Sequence, residues 1–191
     1  MGTKLTHSSM ELIKSNNIFI DELNLNNYSS EYYKWLNDEE VNKYLESRFK
    51  EHTNEDIKKY ITQMLQSKND YLFGIFLNSN NEHIGNIKVG GINHLHNFAE
   101  VGLMIGNKDC WGMGLGKEAI HCISEFSFSV LELNKLTAGM YEDNVGSYKS
   151  FLKVGFQHVG TLKNQYFFNG NYTDGLLVEL FSGEYNKIKR K

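Results

Sequence analysis

Glu100-Val101-Gly102-Leu103-Met104-Ile105, followed closely by Trp111-Gly112-Met113-Gly114-Leu115-Gly116-Lys117-Glu118-Ala119, is the stretch whose reading decides the fold. A strand-like run leads into alternating glycines, and these lead into a helical pattern. Glycine opens backbone torsions closed to other residues and lets a ligand come close to the main chain. Successive amide N–H groups can then point into one concavity, backed by the positive end of the following helix. Phosphate is the natural occupant of such a place. Glu118 falls in the first helical turn, where the helix dipole also favours a carboxylate.

Two familiar phosphate motifs are excluded. The loop of nucleoside triphosphatases needs glycine five places before Gly116 and Ser or Thr after Lys117, where this chain has Trp111 and Glu118. The dinucleotide fingerprint needs glycine where Lys117 stands. A plain helix start tightened by glycines remains as the alternative.

Working outward, residues 18–23 read as a first strand, with residues 28–35 and 38–45 as short helices broken near Asn37. Thr53 and Asp56 have the spacing of a capping box, opening a helix to about Gln66 whose apolar set is Ile57, Ile61, Met64 and Leu65. Strands follow at residues 71–77, 83–92 and 98–105, the first two joined by the turn Ser79-Asn80-Asn81. After the glycine turn come a helix over residues 116–131, a strand over 135–141 and a helix over 144–154. The last hairpin turns at Asn169-Gly170, between two aromatic runs. This order predicts an α/β protein with a mixed sheet and helices on its faces.

The chain has 191 residues, 40% hydrophobic and 13% aromatic, enough to bury a core. Its net charge of -3 gives no broad attraction to nucleic acid or to an anionic membrane. No apolar stretch approaches the roughly 20 residues that span a bilayer. Cys110 and Cys122 show no metal-ligand spacing and fit a reducing compartment, so a cytoplasmic protein without a metal is expected. Residues 1–9 read as a polar leader or tag-like tail, with Met10-Glu11 as a second candidate start and residues 10–191 as a single domain.

The segment from Trp111 to Ala119 resembles the pyrophosphate loop of the GNAT superfamily of acetyltransferases, in the branch related to the ribosomal-protein N-terminal acetyltransferases. A second block agrees: Asn144-Val145-Gly146-Ser147, then Phe151-Leu152-Lys153-Val154-Gly155-Phe156. A third, Trp35-Leu36-Asn37-Asp38 with Val41 and Tyr44, matches the early helical region of the same branch. The resemblance runs from about residue 18 to residue 181 and implies a splayed central sheet of about seven strands holding acetyl-coenzyme A in the gap. It implies that the backbone of Leu103, Met104 and Ile105 pairs with the pantetheine arm. The amides of Met113, Gly114, Leu115, Gly116 and Lys117 would hold the pyrophosphate, and Asn144 and Ser147 would approach the far side of the arm. Ser147 also reads as an ordinary helix-start residue. Relatives often dimerise, so the resemblance admits a homodimer.

Transfer to an amine needs a base, a polarised thioester carbonyl and a proton for the leaving thiolate. A backbone N–H near Met104 suits the oxyanion, and Glu100 is the first candidate base, acting through a water. Many relatives carry Tyr where this chain has Phe151, which has no proton to give. Tyr148 and Tyr141 are the substitutes, each also readable as a packed aromatic; water is a third source of the proton. His94 and His96, two apart, would share one strand face near the acceptor cleft, or stand as exposed loop histidines.

The block Tyr44-Leu45-Glu46-Ser47-Arg48-Phe49 with Gly85-Asn86-Ile87-Lys88 resembles acetyltransferases of surface-polysaccharide pathways, which act on nucleotide-linked amino sugars. That resemblance makes a small-molecule amine the expected partner, with Arg48 and Lys88 to meet a diphosphate. Acetylation of protein N-termini and a non-catalytic coenzyme A-binding module are the alternatives. A polyamine acceptor fits less well, because it would want a denser acidic patch.

Overall fold

The computed structural model describes residues 13–189. Its sheet has eight strands in the order β1-β2-β3-β4-β5-β6-β8-β7. In chain order these are β1 (Ile13–Lys14), β2 (Ile18–Glu22), β3 (Tyr71–Leu77), β4 (His83–Asn93), β5 (Phe98–Ile105), β6 (Lys135–Tyr141), β7 (Gln157–Phe168) and β8 (Asn171–Phe181). The helices are α1 (Glu31–Asn37), α2 (Glu39–Asn42), α3 (Asn54–Gln66), α4 (Leu115–Ser129), α5 (Val145–Val154) and α6 (Ser182–Lys189), with a 3-10 turn at Glu46–Phe49. The mixed α/β architecture read from the sequence stands. The expected seven strands become eight because the short β1 pairs with β2, and α6 extends the chain beyond β8.

Both faces of the sheet are covered, which explains the unbroken apolar run of β3. Tyr71, Phe73 and Ile75 point into one core with Ile120, Ile123 and Phe126 of α4. Leu72 and Phe76 point the other way, against Trp35 and Leu36 of α1 and Ile57 and Ile61 of α3. The hairpin turn between β7 and β8 forms where expected, with Asn169 and Gly170 at φ 50° and 81°, as a two-residue turn demands. The break between the first two helices falls at Asp38, whose side chain accepts from the amides of Glu40 and Val41 at 2.9 and 3.4 Å.

The feature that positions the site is the β5–β6 pair. It is the sheet's parallel pairing and holds three register pairs, Phe98↔Lys135, Ala99↔Leu136 and Glu100↔Thr137. Beyond Glu100 the two strands part. The leader and the alternative start at Met10 lie outside the described residues.

Candidate active site

The gap between β5 and β6 opens beside Leu103, Met104 and Ile105, whose other edge pairs with β4. A cavity of about 570 Å³ fills it. Leu103, Met104 and Ile105 line one wall, Gly114, Leu115 and Gly116 the end, and Asn144 and Ser147 the opposite wall. Eight of the ten residues expected to hold the cofactor therefore meet in one place. Met113 and Lys117 are exposed and lie outside the lining.

Two local features make this end of the cavity suited to an anion. Gly112 and Gly114 take φ of 75° and 82°, and a Cβ on either would meet nothing within 4 Å, so backbone torsion and not crowding calls for glycine there. No side chain caps α4, and its first intrahelical bond runs from the Glu118 amide to the Gly114 carbonyl at 3.2 Å. The amides of the first turn are left for a ligand or solvent. Glu118 does not compete for them. Its carboxylate accepts from the amide and side chain of Asn17 at 3.0 and 2.6 Å, tying α4 to the turn before β2. Lys43, Lys149 and Lys153 stand around the same cavity, with the carboxylates of Glu40 and Asp143 also in its lining. A phosphate-bearing, extended molecule such as a coenzyme A thioester fits these groups.

A second cavity, of about 560 Å³, lies under α1, α3 and the 3-10 turn. It shares Leu45, Leu103 and Met104 with the first, so the two meet at one point on β5. Its charged lining is Lys50, Lys59 and Lys88 against one carboxylate, Asp56. Asn86, on β4 opposite Met104, also borders it.

Glu100 lines neither cavity. It is the last paired residue at the fork, and its alternation along β5 puts it on the sheet face of Gly102 and Met104, which border the second cavity. Its carboxylate reaches toward β6, within 3.9 Å of where a Cβ on Gly139 would stand. Burial chiefly, with the charges of Glu46 and Glu100, pushes the Tyr166 phenol upward. The two tyrosines proposed as acids are placed differently. Tyr141 donates to Glu46 Oε1 at 2.6 Å and accepts from Arg48 Nη1 at 2.8 Å, while its ring stacks on Tyr166 with centroids 3.9 Å apart. Burial, aided by the bond to Glu46, holds its phenol above the ordinary range. Tyr148 lines neither cavity and lies edge-on to His158, 6.0 Å between ring centroids. Phe151 is buried against Phe156.

The substrate candidates are scattered. Lys88 borders the second cavity, 3.5 Å from Asp70. Arg48 lies elsewhere, bonding Tyr141, the Leu45 carbonyl and, at 3.3 Å, the Phe167 carbonyl. Arg48 and Lys88 thus line different cavities. His94 and His96 sit in the β4–β5 turn, exposed, and not on a strand face. The turn forms because Asn93 Oδ1 accepts from the amides of Leu95 and His96 at 3.0 and 2.9 Å. Asn86 and His83 escaped the sequence reading. Asn86 stood inside a quoted block, but nothing in a one-dimensional pattern marks a buried amide lacking a partner. Among the described residues no three His, Cys, Asp or Glu side chains gather as metal ligands.

A sheet that forks where a strand leads into an uncapped, glycine-opened helix is the architecture of an acyl-coenzyme A-dependent transferase. The family model described as an acetyltransferase (GNAT) domain matches residues 23–157, and the chain belongs to that family. A spermidine N(1)-acetyltransferase of Escherichia coli is 30% identical over 104 residues, 54% of this chain and 55% of that protein. An uncharacterized N-acetyltransferase of Bacillus subtilis is 32% identical over 111 residues, 58% of this chain and 62% of that one. The chain thus spans little more than half the length of these curated relatives. Among solved structures, spermidine N-acetyltransferase from Vibrio cholerae in complex with CoA and spermine superposes with a TM-score of 0.79 at 19% identity, covering 88% of this chain and 98% of that one. A GNAT-family acetyltransferase from Bacillus anthracis gives 0.76 at 20% identity, covering 91% and 100%. At such identities the superpositions establish the fold.

Proposed function

We propose that the protein is an N-acetyltransferase that moves the acetyl group of acetyl-coenzyme A to a primary amine, most specifically that of a nucleotide-linked amino sugar. The observation that carries this reading is the meeting of the two cavities at Leu45, Leu103 and Met104. A thioester lying along β5 from the glycine loop would present its acyl end there, and an acceptor in the second cavity would present its amine. Acetyl-coenzyme A supplies the activated acyl group. The chain supplies position, a backbone N–H of the Leu103–Ile105 edge for the developing oxyanion, and Glu100 as base through a water. With Phe151 in the core, Tyr141 bonded to Glu46 and Tyr148 outside both cavities, water is the proton source for the thiolate.

The choice of acceptor rests on charge. Spermidine acetyltransferases are among the relatives, yet a polycation gains little from a cavity whose three lysines outnumber the carboxylates paired with them, Asp56 beside Lys50 and Asp70 beside Lys88. An acceptor carrying phosphates gains from the same lysines. Such a reaction, drawing on acetyl-coenzyme A, belongs in the cytoplasm.

The test is free-thiol release from acetyl-coenzyme A against nucleotide amino sugars, N-terminal peptides and polyamines. Turnover of the sugars alone is expected. Turnover of spermidine or of peptides instead would replace the acceptor, and coenzyme A binding with no turnover would leave a binding module. Glu100→Gln is expected to cut kcat about 100-fold or more, the scale of general base catalysis, with acetyl-coenzyme A affinity unchanged. Unaltered kcat removes Glu100 as the base.

A further inference from the structure

Among the described residues one buried side-chain polar atom lacks a hydrogen-bond partner, Asn86 Nδ2. Asn86 is 5% exposed and borders the lysine-lined cavity. Such an orphan is costly in a folded protein, since a buried donor loses its water without replacement. Misassignment of the amide's oxygen and nitrogen does not explain it, because the neighbours fix which way the group points. The backbone N–H of Ser29 donates to His83 Nδ1 at 2.9 Å. That nitrogen must then carry a lone pair, and in a neutral ring the proton sits on Nε2. Burial, the dominant influence, pushes the His83 imidazolium toward its neutral form. Nε2 lies 2.9 Å from the Gly85 carbonyl and 3.0 Å from Asn86 Oδ1, and donates to both acceptors. Asn86 must therefore turn its oxygen to His83 and its NH₂ away from it.

His83 is itself 6% exposed and wedged among the rings of Trp35 and Phe76, at 5.2 and 5.0 Å. It has little freedom to release the amide. A chain that runs Ser29 N–H to His83 to Asn86 ends in one donor, beside the cavity, on the strand position opposite Met104.

We propose that Asn86 is an acceptor-recognising residue, its Nδ2 donating to an oxygen of the bound amine substrate, and that His83 is the positioning residue that aims it. The inference rests on the second cavity being the acceptor's. It adds a chemical requirement that charge alone does not impose: the acceptor carries a hydroxyl, carbonyl or phosphate oxygen within reach of the Asn86 amide. A polyamine, whose nitrogens are protonated and otherwise joined by methylenes, offers no such group. A site built around a buried donor discriminates strongly against substrates that leave it unpaired.

The test is Asn86→Asp, which keeps the shape and the bond from His83 but puts an acceptor where the donor was. With the amino sugar that the wild type turns over, kcat/KM is expected to fall roughly 10- to 100-fold, chiefly through KM, with acetyl-coenzyme A affinity and melting temperature retained. Unchanged acceptor KM and kcat overturn the proposal. His83→Phe should weaken acceptor binding in the same direction, and His83→Gln, which can both accept and donate, should restore part of it; equal loss in both overturns the positioning role. Where Asn86→Asp fails to fold, or the wild type turns over no amine in the panel, the wild-type side-chain amide is read directly. Its ¹⁵N–¹H pair is followed while a uridine-diphosphate-linked amino sugar is added. A shift confined to Asn86 and its cavity neighbours upholds the assignment even if acetyl transfer has failed, and no shift at saturating probe overturns it.

Discussion

Helix α3 begins with a capping box, whereas α4 begins with no side-chain cap. At α3 the Thr53 hydroxyl accepts from the Asp56 amide at 3.2 Å and Asp56 Oδ2 accepts from the Thr53 amide at 2.9 Å. At α4 the residue in the same position is Gly114, which brings no side chain and a left-handed φ of 82°. Both helices bury an apolar face, so packing does not separate them. What separates them is what lies in front of each. The start of α3 completes itself locally, with Thr53 exposed and Asp56 at the border of the second cavity. The start of α4 ends a cavity lined by a strand edge and by Gly112, Gly114, Gly116 and Gly146, and its uncapped amides suit an anion. A helix start closed by a capping box and one left uncapped thus differ by a few residues of local sequence.

The comparison breaks most sharply at Gly114→Glu. A carboxylate placed against the expected pyrophosphate should weaken coenzyme A binding by about 100-fold or more, by like-charge repulsion at short range. Unchanged affinity by calorimetry would show that α4 is an ordinary helix. Gly114→Ala is smaller and isolates the backbone: an added methyl meets nothing within 4 Å, so the cost is torsional, about 1–2 kcal/mol of stability. Equal stability of this variant in chemical denaturation would mean the loop adjusts freely. Thr53→Ala should cost about 1 kcal/mol and leave coenzyme A affinity untouched. This last effect also carries a pH signature. The bond from the Thr53 amide, above all, holds the Asp56 carboxyl below its ordinary value of 3.8. A depressed folded-state value contributes stability above the unfolded value and loses it as pH falls through the folded one. Thr53→Ala keeps that amide and removes the hydroxyl's bond to Asp56 Oδ2, a second influence in the same direction. The gap between wild type and Thr53→Ala should therefore narrow in part on acidification below the ordinary carboxylate range, and a gap constant down to strong acid would refute the hydroxyl's contribution.

The same contrast explains how far the sequence could be read. Thr53 with Asp56, Asn169 with Gly170, and the alternating glycines before α4 each act over a few bonds, and each is found as expected. The two short helices shifted because a single side chain, Asp38, captured nearby amides and ended the regular structure, while the β4–β5 turn stayed where it was expected, closed by Asn93. β1 and α6 were missed because two residues, or a polar terminal stretch, carry no periodic signal until β2 and β8 are there to dock on.

The candidate site divides along the same line. Eight of the ten cofactor positions converge because they belong to two local motifs, and the strand order brings those motifs together. The acceptor side behaved otherwise. Arg48 was absorbed by Tyr141, far along the chain, and the two histidines went to an exposed turn.

The sequence by itself determined the glycine loop, the helix it opens and the alternation of strands and helices, since backbone torsion and local capping depend on neighbours along the chain. Only the tertiary structure decided that the Tyr141 hydroxyl donates its hydrogen bond to Glu46, that Lys88 and Arg48 line different cavities, and that the Asn86 Nδ2 is left without a partner. Those outcomes turn on which polar groups a fold brings within about 3 Å of each other and which it deprives of water. Such distances join residues remote in sequence, as with Ser29 and His83, 54 positions apart, and no local pattern encodes them.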